Sequence, residues 1–267
     1  MIERLIYPFI LLLGSALFLL FTWLNIPVTL IPSSVFSIVL LVVLCLEKKL
    51  PKDDFSGMSK SQISKDAFFT LGLLPLITFL IEFGYVGFRQ KLSFISLSSE
   101  YSLAWQFVIV LVVSELLFYW YHRFSHEVLW LKKWHWFHHR EQKIYWANSG
   151  KFHIVDSLLQ FSLYFIPIFL LSPAPIVSAA VLTLSAVTGV MEHANIRYET
   201  SGYNLLFNTN DLHSIHHSKR QKLANNNYGK ITVIFDRLFG TYLLKPQEKK
   251  SSCSKAESNI SLGYVGK

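Results

Sequence analysis

The chain has 267 residues, of which 52% are hydrophobic and only 16% charged, with a net charge of +8. Soluble domains carry about 25% charged residues; here the apolar residues gather in long runs, which excludes an ordinary soluble globule, and no recognition motif supports a nucleic-acid partner for the basic excess. Two cysteines, Cys45 in an apolar run and Cys253 in a polar tail, exclude a disulfide framework, and neither stands in a CxxC pattern.

Six apolar stretches follow one another. The first covers 5–24 and the second 26–46, with Pro27 and Pro32 at the turn between them. The third covers 67–88, interrupted only by Glu82, and the fourth covers 103–121 and contains Glu115. The fifth and sixth, 154–171 and 174–191, are joined by Ser172-Pro173 as a tight hairpin. Each is near the ~20 residues that cross a bilayer core. The first is too long for a signal peptide and lacks a small-residue cleavage site before the next run, so it reads as a retained anchor. With the N-terminus inside, all 25 Lys and Arg residues except Arg89 and Lys91 fall in inside segments, which places both termini in the cytoplasm. The expected fold class is all-α: a polytopic membrane helical bundle with a cytoplasmic histidine-rich helical cap. Its expected divisions are N-terminal spans over 1–100, a catalytic unit over 101–245 and a polar tail over 246–267.

The ten histidines all follow residue 121, and all lie at the cytoplasmic ends of spans or in cytoplasmic segments. His122 and His126 form H-x₃-H at the end of the fourth span. His135, His138 and His139 form H-x₂-H-H, and His213, His216 and His217 repeat it. His153 precedes the fifth span and His193 follows the sixth. Residues three or four apart share a helix face, so His122 and His126 can point at one metal. An H-x₂-H-H triplet can serve one metal or bridge the shells of two. Eight boxed histidines exceed the needs of one first-row ion, so the count favours two. Imidazole ligation without thiolate suits several metals; at the mouth of a membrane bundle it suits redox iron acting on an apolar substrate.

Several other residues carry a second message. Asp156 could accept a hydrogen bond from a ligating imidazole or cap the fifth helix. Asp211 and Asp236 are similar candidates, and Asp236 could instead pair with a nearby arginine. Glu115, at membrane depth, could support a ligand or another buried polar group. Glu82 reads as snorkelling. His153 could be a ligand or could orient one. Trp120, Trp130, Trp134, Trp136 and Trp146 read as an interfacial belt rather than a channel lining.

At these residues the chain resembles the fatty acid hydroxylase and sterol desaturase superfamily of integral membrane di-iron enzymes. The similar segments are Tyr119-Trp120-Tyr121-His122-Arg123 with His126, Trp134-His135 with His138-His139, and Leu212-His213 through His216-His217-Ser218. Asn227-Tyr228-Gly229 and Phe235-Asp236-Arg237-Leu238-Phe239-Gly240-Thr241 follow. Glu192-His193-Ala194-Asn195 resembles the family's isolated histidine. The resemblance covers roughly residues 105–243; it departs at Phe235, where tryptophan is common, and at Ile154, where many relatives have proline. It implies O₂-dependent hydroxylation or desaturation of a lipid or sterol-like substrate, with two Fe²⁺ ions (zinc being able to replace them on isolation). The implied ligands are His122, His126, His135, His138, His139, His193, His213, His216 and His217, with His153 as a further candidate. No haem-attachment, iron–sulfur or dinucleotide motif is present, so an external electron donor, cytochrome b5-like or ferredoxin, is implied. The competing classes are a zinc metallohydrolase, which lacks its H-E-x-x-H, and a non-enzymatic metal- or haem-binding membrane protein.

Overall fold

The computed structural model describes residues 2–54, 58–81, 84, 96–141, 143–200 and 202–244. The expectations for Glu82, Arg89, Lys91, Cys253 and the tail from 246 fall outside these residues.

Long apolar runs close their backbone hydrogen bonds internally, because a bilayer offers no alternative partner. The result here is α1 (Ile2–Trp23), α2 (Ile31–Lys49), α3 (Lys60–Ile81), α4 (Leu103–Glu127), α6 (Ile154–Leu171) and α7 (Pro175–His193), each long and apolar enough to span. The short α5 (Leu129–His139) and α8 (Asn210–His216) lie between and after them, and α9 (Ile234–Leu238) closes the described chain. The chain is a multi-pass membrane protein with an all-helical fold, as expected.

Local signals set the helix boundaries. Ser59 accepts a hydrogen bond from the Gln62 N–H at the start of α3, so that helix begins before the apolar run does. A π turn at Phe69–Leu73 interrupts it. Pro32 and Pro175 sit in the first turns of α2 and α7, where a missing N–H costs nothing. The second span therefore starts later than its apolar run, after a turn in which Asn25 takes a positive φ of 55°. Helix α4 outlasts its apolar run and carries both His122 and His126.

The packing centres on α7, which contacts α1, α2 and α4. On one side Tyr7, Ile10, Val35, Val39 and Val43 meet Val187, Val190 and Met191. On the other, Val110 and Phe118 of α4 meet Tyr164, Phe165 and Ile168 of α6, with Val181 and Ile231. Leu12, Leu19, Leu41, Phe79 and Val112 are among the large apolar side chains left exposed. Such a surface is costly in water and suited to lipid.

Candidate metal centre

The histidine-bearing ends of α4, α5, α7 and α8 meet at one end of the bundle. His122, His126, His135, His139 and His216 form one buried group, and His138, His193, His213 and His217 a second; within each, the ligand atoms lie within 4.8 Å of one another. Each H-x₂-H-H triplet is therefore split. From α5, the i,i+4 pair His135 and His139 joins the first group and His138 the second. From α8 the division is reversed, with His216 in the first group and the pair His213 and His217 in the second. His139 and His217 stack at 4.4 Å where the groups meet.

The tautomers follow from the partners. Nδ1 of His122 faces the Tyr228 carbonyl (2.8 Å), that of His216 the Asn226 carbonyl (2.7 Å), that of His138 the Lys151 carbonyl (3.2 Å) and that of His217 the Glu141 carbonyl (3.1 Å). His135 Nδ1 lies 3.0 Å from the Asp156 carboxylate, and His193 Nδ1 lies 2.9 Å from Asn148 Oδ1. The Asn148 amide nitrogen is committed to the Lys143 carbonyl, so its oxygen is the atom facing His193. A carbonyl, a carboxylate or an amide oxygen can only accept, so each Nδ1 donates and each Nε2 holds a lone pair.

The Nε2 atoms of these six rings converge with those of His126, His139 and His213. The Nε2 atoms of His122 and His216 are 2.9 Å apart, those of His126 and His139 3.2 Å, and those of His135 and His139 3.1 Å. In the second group the separations are 2.9 Å for His193 and His213, 3.2 Å for His138 and His217, and 3.1 Å for His213 and His217. Facing lone pairs repel unless a cation lies between them. With metal–imidazole bonds of roughly 2.0–2.1 Å, neighbouring ligands stand roughly 2.9 Å apart at right angles and roughly 3.3 Å apart in a tetrahedron. Five and four nitrogens at these spacings fit ions of more than four-fold coordination, so the residues present fit a metal pair. Burial pushes His216 and His217 down to about 3. Burial, with neighbouring imidazoles, holds His138, His139 and His213 well below the ordinary histidine range. These five rings are thus neutral, the form that ligation requires.

The supporting residues divide the other sequence expectations. Asp156, fully buried, takes its acceptor role: it receives the His135 N–H on one oxygen and the Tyr121 hydroxyl on the other. The cap of α6 is instead His153, whose Nδ1 accepts from the Val155 N–H at 3.2 Å and whose ring packs on Trp134. His153 joins neither histidine group. Asp211 pairs with Lys52 and Thr200 rather than with an imidazole; two positions from His213, it projects from a different side of the helix. No arginine among the described residues pairs with Asp236, which accepts from the Tyr228 and Gly229 amides and the Thr241 hydroxyl. It thereby fixes the carbonyl that holds His122. A Cβ at Gly229 would fall 1.9 Å from the Thr232 carbonyl, and Asn227 takes a positive φ of 57°, which explains the Asn-Tyr-Gly sequence physically. Glu115, about two turns from His122, receives the Ile231 and Thr232 amides and so supports the same loop.

Other supporting residues were not foreseen. Buried Asp66 of α3 binds Lys151 at 2.7 Å and the Tyr145 hydroxyl at 2.7 Å, and Lys151 also binds Glu141. This pins the two residues whose carbonyls orient His138 and His217. Glu47 accepts from the Trp146 and Asn195 amides. Trp130 and Trp136 are exposed, in keeping with an interfacial belt.

A cavity of about 480 Å³ opens beneath the histidines. His122, His135, His138, His193 and His213 line one end; Val28, Pro32, Pro173 and Pro175 line the other. Helix α7 runs alongside, and its 19 residues measure roughly 28 Å at 1.5 Å each.

A sequence model of the family described as Fatty acid hydroxylase matches residues 107–241. An ornithine lipid hydroxylase of Rhizobium tropici is 36% identical over 172 residues, 63% of this chain and 48% of the relative. An alkylglycerol monooxygenase of Danio rerio is 28% identical over 52% of this chain and 31% of the relative. A Delta(7)-sterol 5(6)-desaturase of Gibberella zeae is 31% identical over 53% of this chain and 39% of the relative. The matches thus span less than half the length of each of these relatives. No solved structure matches the chain.

Proposed function

The chain belongs to the fatty acid hydroxylase family, and from that premise we propose that it is an O₂-dependent membrane oxygenase that hydroxylates or desaturates a lipid. The observation that carries this reading is the convergence of imidazole nitrogens on two points at the end of a long, largely apolar cavity. The catalytic unit proposed is 101–245.

His122, His126, His135, His139 and His216 would hold one iron ion, and His138, His193, His213 and His217 the other. When bound, the iron pair supplies oxidation of an unactivated C–H bond by O₂ with electrons from outside the chain. Asp156 keeps the His135 Nδ1 proton in place and raises the basicity of its Nε2. The carbonyls of Glu141, Lys151, Asn226 and Tyr228 hold four more rings in the ligating tautomer. The spans keep water from the cavity and present a chain's carbon to the histidines. Relatives named for an ornithine lipid, an alkylglycerol and a sterol support a lipid as the substrate class. Zinc would displace iron during isolation where it is abundant, because it binds a given site more tightly.

Exposed Lys133, Arg140, Lys219, Arg220 and Lys222 lie in the segments around the second and third histidine boxes. They suit docking of an acidic electron carrier, cytochrome b5-like or ferredoxin, by charge complementarity. The lysine and arginine distribution supports a cytoplasmic position for both termini and the histidine end. Lipid mass spectrometry of a host with and without the gene tests the activity. A lipid species that gains one oxygen, or loses two hydrogens, only when the gene is present is expected; an unchanged lipid profile under aerobic growth would contradict the reading.

A further inference from the structure

The cavity wall changes character beside the histidines. Lys230 lines it there, with Nζ 5.6 Å from the Phe118 ring centroid and 3.4 Å from where a methyl group on Gly189 would stand. None of the ion pairs among the described residues includes Lys230. Glu192, next to His193, also lines the cavity; it is 5% exposed, and its Oε1 has no hydrogen-bond partner. Gln160 is 3% exposed and its side-chain nitrogen is likewise unpartnered. Buried polar groups are nearly always paired, so the open Glu192 Oε1 and Gln160 nitrogen, with half-buried Lys230 outside every ion pair on the same cavity lining, point to a ligand that pairs them.

We infer that Lys230, Gln160 and Glu192 form a polar subsite that grips a neutral group able both to donate and to accept hydrogen bonds, such as an amide in an amphipathic lipid. The class follows from the three side chains together. A plain alkyl chain satisfies none of them. A carboxylate would accept from Lys230 and Gln160 but has no hydrogen to donate to Glu192 Oε1, and a protonated amine would donate to Oε1 but accept from neither of the other two. An amide N–H donates to Glu192 while its carbonyl accepts from Lys230 and Gln160. Resting on the oxygenase reading, the consequence is regiochemical: the carbons near the gripped group are the ones held against the histidines, and the remaining chain runs toward Pro32 and Pro173.

The test uses the intact, metal-loaded protein in nanodiscs, with empty nanodiscs as the blank, and radiolabelled hexadecanamide, methyl hexadecanoate and hexadecane as probes. Hexadecanamide is expected to bind about tenfold or more tightly than hexadecane, with the acceptor-only ester between them. Lys230→Met and Gln160→Leu are expected to weaken the amide several-fold and leave hexadecane unchanged, at unaltered metal content and melting temperature. Lys230→Arg is expected to keep most of the preference, which separates loss of the charge from loss of the fold. Equal binding of the three probes, or a uniform loss for all three in the variants, would overturn the subsite. With O₂ and a chemical reductant supplied to the same nanodiscs, amide preference without any oxidised product would support the subsite and contradict the oxygenase reading; oxidation without preference would do the reverse.

Discussion

The two histidine groups share α5 and the third histidine box, are completed by α4 in one case and α7 in the other, and are held differently. In the five-imidazole group the restraints include a buried carboxylate, Asp156, itself tied to Tyr121. The four-imidazole group relies on backbone carbonyls and one amide oxygen, and its His213 has an Nδ1 with no partner. A carboxylate makes its imidazole a stronger ligand, and five donors leave fewer positions open than four. The first group is therefore the tighter site, and the second the one with more room for an incoming molecule.

Acid should expose what both groups have in common. The pKa values of His138, His139 and His213 lie below the unfolded value of about 6.5, and those of His216 and His217 reach about 3. The unfolded chain then binds more protons than the native one, so stability rises with pH across this range. Metal-free protein is expected to lose stability progressively as pH falls from about 6.5 toward 3, read as a falling melting temperature; a flat profile would mean the rings are not buried neutral. Next in size, His216→Ala and His138→Ala should each lower activity by about 100-fold or more and remove metal, each from its own group. Metal analysis showing full occupancy in both variants would sink the assignment of these rings as ligands.

The contrast itself is sharpened by Asp156→Asn. It should weaken metal binding by about 10–100-fold at the five-imidazole site only, so that graded chelation removes that ion first instead of last. An unchanged order of release would erase the difference drawn between the groups. The smallest effect belongs to His153→Ala, which should cost about 1 kcal/mol as a lost helix cap and leave metal content intact; loss of metal would restore it as a ligand.

The spans and the histidine boxes were legible because each has a period or a length that physics ties to one structure. The partition of His135 and His139 from His138 was not, since i,i+4 spacing allows a shared metal but tertiary packing decides which ring crosses over. Residues acting through backbone carbonyls, such as Tyr228 and Lys151, leave no side-chain signature at all. Asp66 and Glu47 act across the fold on loops about 80 to 150 positions away, beyond the reach of any local pattern. The cap at His153 carries no such signature, because serine, threonine, asparagine and aspartate usually fill that position.

The most direct measurement is the metal content of the purified chain by mass spectrometry, read alongside its optical spectrum. About two first-row ions per chain are expected, falling to about one in His193→Ala, with no Soret band. A stoichiometry near zero under metal-replete expression, or a haem spectrum, would contradict the paired centre.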